Sequence, residues 1–181
     1  KSIDETYSLP LDVCVAQSQG EIGYLLSQAI RSKMAMIDQY SQRQVASILT
    51  QVIVKKDDLA FENPTKPIGK YFNEEQAKDL KKKKFALKQY PHHEYRRMVP
   101  SPAPVEILES RVIEILLNNN TIVIAGGGGG IPILESGNRQ YKGVEAVIDK
   151  DLTSAVLANS VYAEILVILT EVSNVYLNYR Q

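Results

Sequence analysis

The 181-residue sequence predicts an α/β fold built on a largely parallel sheet. Helix-like and strand-like segments alternate along it, which favours crossover connections and parallel pairing. The runs Thr121 to Ala125 and Glu164 to Thr170 are apolar without alternation, as expected of strands covered on both faces. The first of these runs stops in five consecutive glycines, Gly126 to Gly130. An apolar strand ending in glycines brings bare backbone N–H groups against an anionic ligand.

Taken in order, the elements are these. Asp12 to Met36 reads as a helix, with Ile22, Leu25, Leu26, Ala29 and Ile30 at helical spacing on one apolar face. Val45 to Val54 is rich in Val, Ile, Leu and Thr and reads as one strand. Lys55 to Phe72, with Pro64, Pro67 and Gly69, reads as a loop. Asn73 with Gln76 three residues on is a capping-box start to the helix that ends in Lys81 to Lys84. Phe85 to Val99 reads as short strands broken at Pro91. Pro100, Pro102 and Pro104 punctuate, and Val105 to Leu117 reads as an amphipathic helix. After the strand Thr121 to Ala125, Gly137-Asn138 marks a hairpin turn. Asp151 to Ala158 reads as a helix with Asp151 as its N-cap, and Glu164 to Thr170 and Asn174 to Tyr179 read as strands.

Composition narrows the class. The length favours a single domain, residues 1–181, and 44% hydrophobic with 23% charged residues marks a globular chain. Lys+Arg and Asp+Glu are equal at 21 each, so net charge gives no reason to expect nucleic acid or a membrane surface as partner. Cys14 is the only cysteine, which forbids an internal disulfide and suits a reducing cytoplasm. Residues Lys66 to Arg97 hold ten basic residues against four acidic ones, so 63–99 is expected as a small protruding arm or lid. His92-His93 reads as a surface loop and not a metal site, because adjacent side chains rarely converge. Lys81 to Lys84 reads as a solvated helix end.

The glycines fit neither well-known phosphate motif. No Lys-Ser/Thr follows them, and Ile131 and Pro132 occupy the place where a dinucleotide fingerprint would carry its last glycine. About twenty residues on come Asp149, Lys150 and Asp151. Backbone donors plus a lysine among carboxylates suit phosphoryl transfer, which needs placed N–H groups and cations where charge spreads. Lys66 sits in a stretch stiffened by Pro64 and Pro67 and so loses less freedom on ordering.

Seven strings, in one order, resemble carbamate kinase, a member of the amino acid kinase family. They are Leu9 to Ile30, LTQVIV (Leu49 to Val54), NPTKPIG (Asn63 to Gly69), RRMVPSP (Arg96 to Pro102), GGGGIPI (Gly127 to Ile133), KGVEAVIDKD (Lys142 to Asp151) and EILVILTEV (Glu164 to Val172). The resemblance implies a three-layer αβα sandwich, a homodimer, and reversible phosphoryl transfer between carbamoyl phosphate and ADP giving ATP and carbamate. It implies ATP/ADP with Mg²⁺, in the cytoplasm, in fermentative arginine breakdown. Carried over residue by residue, it implies Lys66, Lys150 and Asp149 as catalytic, with Asp149 holding Lys150 on the transferring phosphate. Gly126, Gly127, Gly128 and Gly129 would bind phosphate, and Thr170 and Tyr179 would contact nucleotide.

The sequence also departs from that family. Its Gly-Gly-Asn and Gly-Asn-Gly-Pro turns are not in this chain, nor is its late phosphate-binding lysine. His92-His93-Glu94-Tyr95 stands in place of a Gly-Arg-Gly-Trp run, and Val172-Ser173 in place of Val-Asp. The chain therefore reads as an internal piece of a longer protein, with little activity by itself. The alternative is a non-catalytic remnant that keeps the fold core and dimer surface.

Overall fold

A computed structural model of the chain describes residues 9–37 and 42–170. The expected strand Asn174 to Tyr179, Tyr179 itself and Val172-Ser173 lie outside the described residues.

Helix α1 (Leu11–Met34) starts behind Pro10, with Asp12 in its first turn and Arg31 and Lys33 in its last, an arrangement that complements the helix dipole. It packs on the sheet through one polar, one small and one apolar residue. Gln19, Gly23 and Met34 are buried, while Ile22, Leu25 and Leu26 of the apolar stripe are exposed. Gly23 is needed for this approach, because a Cβ there would overlap the Ser47 side chain.

The segment expected as one strand is two, β1 (Gln44–Ser47) and β2 (Gln51–Val54). Strands β3 (Lys66–Phe72), β4 (Leu87–Tyr90) and β5 (Glu94–Val99) follow, with helix α2 (Glu74–Lys82) between the first two. Next come β6 (Pro104–Ile107), helix α3 (Ser110–Asn118), β7 (Thr121–Ile124), β8 (Ile131–Ser136), β9 (Gln140–Gly143) and helix α4 (Lys150–Ser160). β1 runs parallel to β7, and a four-stranded sheet has the order β6-β2-β8-β9. Its central pair, β2 and β8, is parallel, and the flanking strands are antiparallel.

β1–β2 and β7–β8 are each one run of chain, and the two runs lie side by side. Ser47 pairs with Ile124 and Gln51 with Ile131, so the three residues 48–50 on one side face the six residues 125–130 on the other. The excess is looped out as glycines, and it is what divides the strand. Helix α1 packs on β1, β7 and β8, α3 on β7, and α4 on β6 and the glycine loop. Val52, Val54, Ile107 and Ile148 form the core, with Phe61, Leu134, Val156 and Leu157 against it.

Several expected elements are corrected. Lys66 opens strand β3 and does not sit in a loop, because β3 finds β5 as an antiparallel partner. Pro104–Ile107 is strand and not helix: β2 offers a free edge there, and Glu109 fixes the turn by accepting from the Gln51 N–H at 2.8 Å and the Gln51 side-chain amide at 2.9 Å. Glu164 to Thr170 is irregular and exposed, with Leu169 92% accessible. It has no ladder partner among the described residues, and an apolar run becomes a strand only by pairing. The Asn73–Gln76 capping box forms as expected, at 2.9 and 3.2 Å, and so does the hairpin at Gly137-Asn138.

Candidate phosphoryl-transfer site

The site begins with the glycines. Gly126, Gly128, Gly129 and Gly130 all have positive φ, from 65° to 99°, which side chains rarely tolerate. Two are also closely packed. A Cβ on Gly129 would strike the Ile148 carbonyl, and one on Gly130 would strike Val52. The loop's own bonds engage the N–H groups of Gly129 and Gly130, which donate to Gly126 and Gly127 carbonyls at 3.0 and 3.2 Å. The Gly126 N–H donates to the Thr50 hydroxyl at 2.8 Å. The N–H groups of Gly127 and Gly128 take no part in these bonds, and Gly128 is exposed.

Helix α4 starts against this loop: the place a Gly129 Cβ would take lies 3.3 Å from the Lys150 nitrogen. The N-cap is Asp149 and not Asp151. Asp149 has the extended backbone a cap requires (φ −74°, ψ 124°), and its carboxylate accepts from the Asp151 N–H at 2.9 Å. Its other oxygen accepts from the Lys66 ammonium at 3.2 Å, 83 residues away in sequence. The ammonium that Asp149 holds is therefore that of Lys66. Lys150 is held instead by Asp151, at 2.9 Å.

These contacts set the charges. The hydrogen bond from the Asp151 N–H, and then the Lys66 ammonium, hold the Asp149 carboxyl below its ordinary range against an opposing effect of burial. The Asp151 carboxylate raises Lys150 above its ordinary value. Lys150 is thus a cation at neutral pH.

Of the expected site residues, the structure brings Lys66 and Asp149 into contact and sets Lys150 next in the chain, with Gly126 to Gly129 packed on the same helix start. Thr170 is exposed in the irregular segment after α4. Three residues that motif reading passes over also belong here. Gln19, Thr50 and Thr153 are 4%, 0% and 1% exposed, and each bonds at or beside the glycine loop. Only one hint of this stands in the sequence, the Gln19–Gly23 pair spaced to share a helix face.

A glycine loop with two lysines beside it is chemically suited to an anionic group, and the comparisons give the chain's class. Residues 21–180 match the amino acid kinase family, and the chain belongs to that family. It is 46% identical over 94% of its length to the carbamate kinase-like protein YqeA of Escherichia coli, and 45% identical over 98% to carbamate kinase 2 of Staphylococcus aureus. It spans about half the length of these curated relatives, 54% and 56%. A carbamate kinase from Giardia lamblia bound to citric acid superimposes with a TM-score of 0.83 at 41% identity, over 97% of this chain and 56% of that one. A crystal structure from Aeropyrum pernix gives 0.90 at 35% identity, over 98% and 57%.

Proposed function

We propose that this chain carries part of the active site of a carbamate kinase. The reaction moves the phosphoryl group of carbamoyl phosphate to ADP, giving carbamate and ATP, and runs in both directions. The observation that carries this reading is the meeting of Lys66, Asp149 and Lys150 at the start of α4, against a loop of glycines. In such transfers the protein supplies position and charge and little covalent chemistry.

The roles follow from the contacts. Gly126 to Gly129 would bind the phosphate, with the Gly127 and Gly128 N–H groups, which take no part in the loop's own bonds, as its donors. Lys66 and Lys150 neutralise charge that builds on the equatorial oxygens. Asp149 is a positioning residue that holds Lys66, and Asp151 does the same for Lys150. Nucleotide use is supported by a Giardia lamblia carbamate kinase bound to AMP-PNP, matched at a TM-score of 0.78 and 41% identity. Thr170 and Tyr179 as nucleotide contacts rest on the family resemblance.

Mg²⁺ would enter with the nucleotide and neutralise its phosphates. Among the described residues no three carboxylate, histidine or cysteine groups cluster as a metal site, and Asp149 and Asp151 already face lysines. The exposed Ile22, Leu25 and Leu26 of α1 support a homodimer, which would cover them. No described helix is long and apolar enough to cross a membrane. The family resemblance supports a cytoplasmic setting in fermentative arginine breakdown.

The test is ATP formation by the purified full-length protein from ADP, Mg²⁺ and carbamoyl phosphate. Turnover that Lys150→Ala abolishes supports the reading. A folded protein that makes no ATP points to the non-catalytic remnant instead.

A further inference from the structure

Gln19, Thr50 and Thr153 are the buried polar side chains of the described residues, and all three meet at the glycine loop. Buried polar groups are expensive unless each finds a partner. Here each does, and the partners share one purpose. The Gln19 amide closes a two-point clamp on the Thr50 backbone: its oxygen accepts from the Thr50 N–H at 2.8 Å and its nitrogen donates to the Thr50 carbonyl at 3.1 Å. Thr50 lies between β1 and β2, where the neighbouring run bulges away and regular pairing lapses. The side-chain amide stands in for a missing peptide carbonyl at the Thr50 N–H, and adds a second donor to the Thr50 carbonyl, which also accepts from the Ile131 N–H at 2.8 Å.

So fixed, the Thr50 hydroxyl donates to the Ile48 carbonyl at 2.9 Å and accepts from the Gly126 N–H at 2.8 Å. That anchors the loop where it leaves β7. At the loop's other end, the Thr153 hydroxyl donates to the Gly129 carbonyl at 2.7 Å. Gln19 also lies under the middle of the loop, with its Cγ 3.3 Å from where a Gly127 Cβ would be. The loop is thus tied at entry, middle and exit by three elements distant in sequence, α1, the β1–β2 junction and α4.

We propose that Gln19, Thr50 and Thr153 are positioning residues for phosphoryl transfer, holding the glycine loop in its bulged form so that the Gly127 and Gly128 N–H groups stand ready for the phosphoryl oxygens. This rests on the reaction assigned above, and it adds that the site's precision comes from a buried uncharged network behind the loop. Donors fixed before binding favour the transition state more than the ground state, because they need no reorganisation as charge develops. Loosening them therefore lowers kcat more than it raises KM.

The experiment compares Thr50→Val with Thr50→Ser in the full-length protein. Thr50→Val removes the hydroxyl at nearly constant volume, and Thr50→Ser keeps it. Two readouts are taken: kcat and KM for ATP formation, and amide exchange of glycines in ¹⁵N-glycine-labelled protein. We expect Thr50→Val to lower kcat by about tenfold or more with KM for ADP within about threefold, and Thr50→Ser to restore kcat to within about threefold. We expect Gly126 exchange to speed up by about tenfold, while Gly143 on β9 is unchanged. Unchanged kcat, or loop exchange that rises only in step with global unfolding, overturns the proposal. A wild-type protein that makes no ATP, yet whose Gly126 amide responds to Thr50→Val, upholds the loop's anchoring and overturns the reaction. Where Thr50→Val does not fold, Thr153→Val gives the same two readouts through the Gly129 anchor.

Discussion

The glycine loop and the three-stranded unit β3–β5 both reach the start of α4, and they are fastened there by opposite means. The loop is held by uncharged, buried hydrogen bonds from Thr50 and Thr153 and by the backbone contact of Gly129 with Ile148. The β3–β5 unit is held by two half-exposed ion pairs, Lys66 with Asp149 at 3.2 Å and Arg97 with Glu145 at 2.6 Å. Buried hydrogen bonds leave unsatisfied groups behind when broken, at about 1–3 kcal/mol each. Partly exposed ion pairs contribute about 0–1 kcal/mol and weaken with salt. The difference teaches a division of labour. In the proposed reading the loop supplies a preformed set of donors, and Lys66 comes from a unit whose ion pairs to this helix start are partly exposed.

The largest expected effect tests the cations that the two regions present. Lys66→Ala and Lys150→Ala should each lower turnover by about a hundredfold or more, since each removes a charge that the proposed mechanism sets against the transferring group. Lys83→Ala, on the exposed end of α2, should change it by less than about twofold. Steady-state rates of ATP formation check this, and equal losses in all three would mean that general basicity and not placement is what counts.

Within the loop, two glycines of similar backbone should differ. Gly129→Ala combines a φ of 99° with overlap of the Ile148 carbonyl and should destabilise by about 3 kcal/mol. Gly128→Ala has a φ of 65° and open space around it, and should cost about 1 kcal/mol. Denaturant midpoints would break the account of the loop if the order were reversed.

Salt should separate the regions next. Raising ionic strength from about 0.05 to about 0.5 M shortens the screening length severalfold. Amide exchange in β3 and β5 should accelerate, while the Gly126 and Gly129 amides hold. Equal acceleration in both would contradict the contrast drawn here.

The smallest effect is on pH. Asp149 is held below its ordinary range, so the stability it lends is complete above about pH 4 and is lost as pH falls through its folded value. Asp149→Asn should therefore be less stable than wild type near neutrality, and the gap should close in stronger acid. At 44% exposure the gap is small, and thermal midpoints at the two pH values measure it.

Much of the architecture is legible in the sequence because its signals are local. Asn73 and Gln76 announce a helix start three residues apart, and Gly137-Asn138 announces a hairpin. The glycines, Lys66 and Asp149 are visible as residue types suited to anions. What is not legible depends on partners far away. Thr121 to Ile124 and Glu164 to Thr170 look alike as apolar runs, yet only the first has a neighbour to pair with among the described residues. Val105 looks helical until β2 claims it. Asp149 and Asp151 exchange roles because capping depends on backbone geometry that residue type does not fix. Gln19 and Thr50, 31 residues apart, carry no motif at all.

The central claim is that the glycine loop is a preformed phosphate cradle, and glycine amides report on it directly. Full-length protein labelled with ¹⁵N-glycine would be titrated with AMP-PNP and Mg²⁺, and each glycine resonance followed. The account predicts slow exchange at Gly126 and Gly129 before ligand is added, and ligand-induced shifts largest at Gly127 and Gly128, with Gly20, Gly69 and Gly137 unmoved. Loop amides that exchange freely until ligand arrives, or shifts that bypass Gly127 and Gly128, would contradict it.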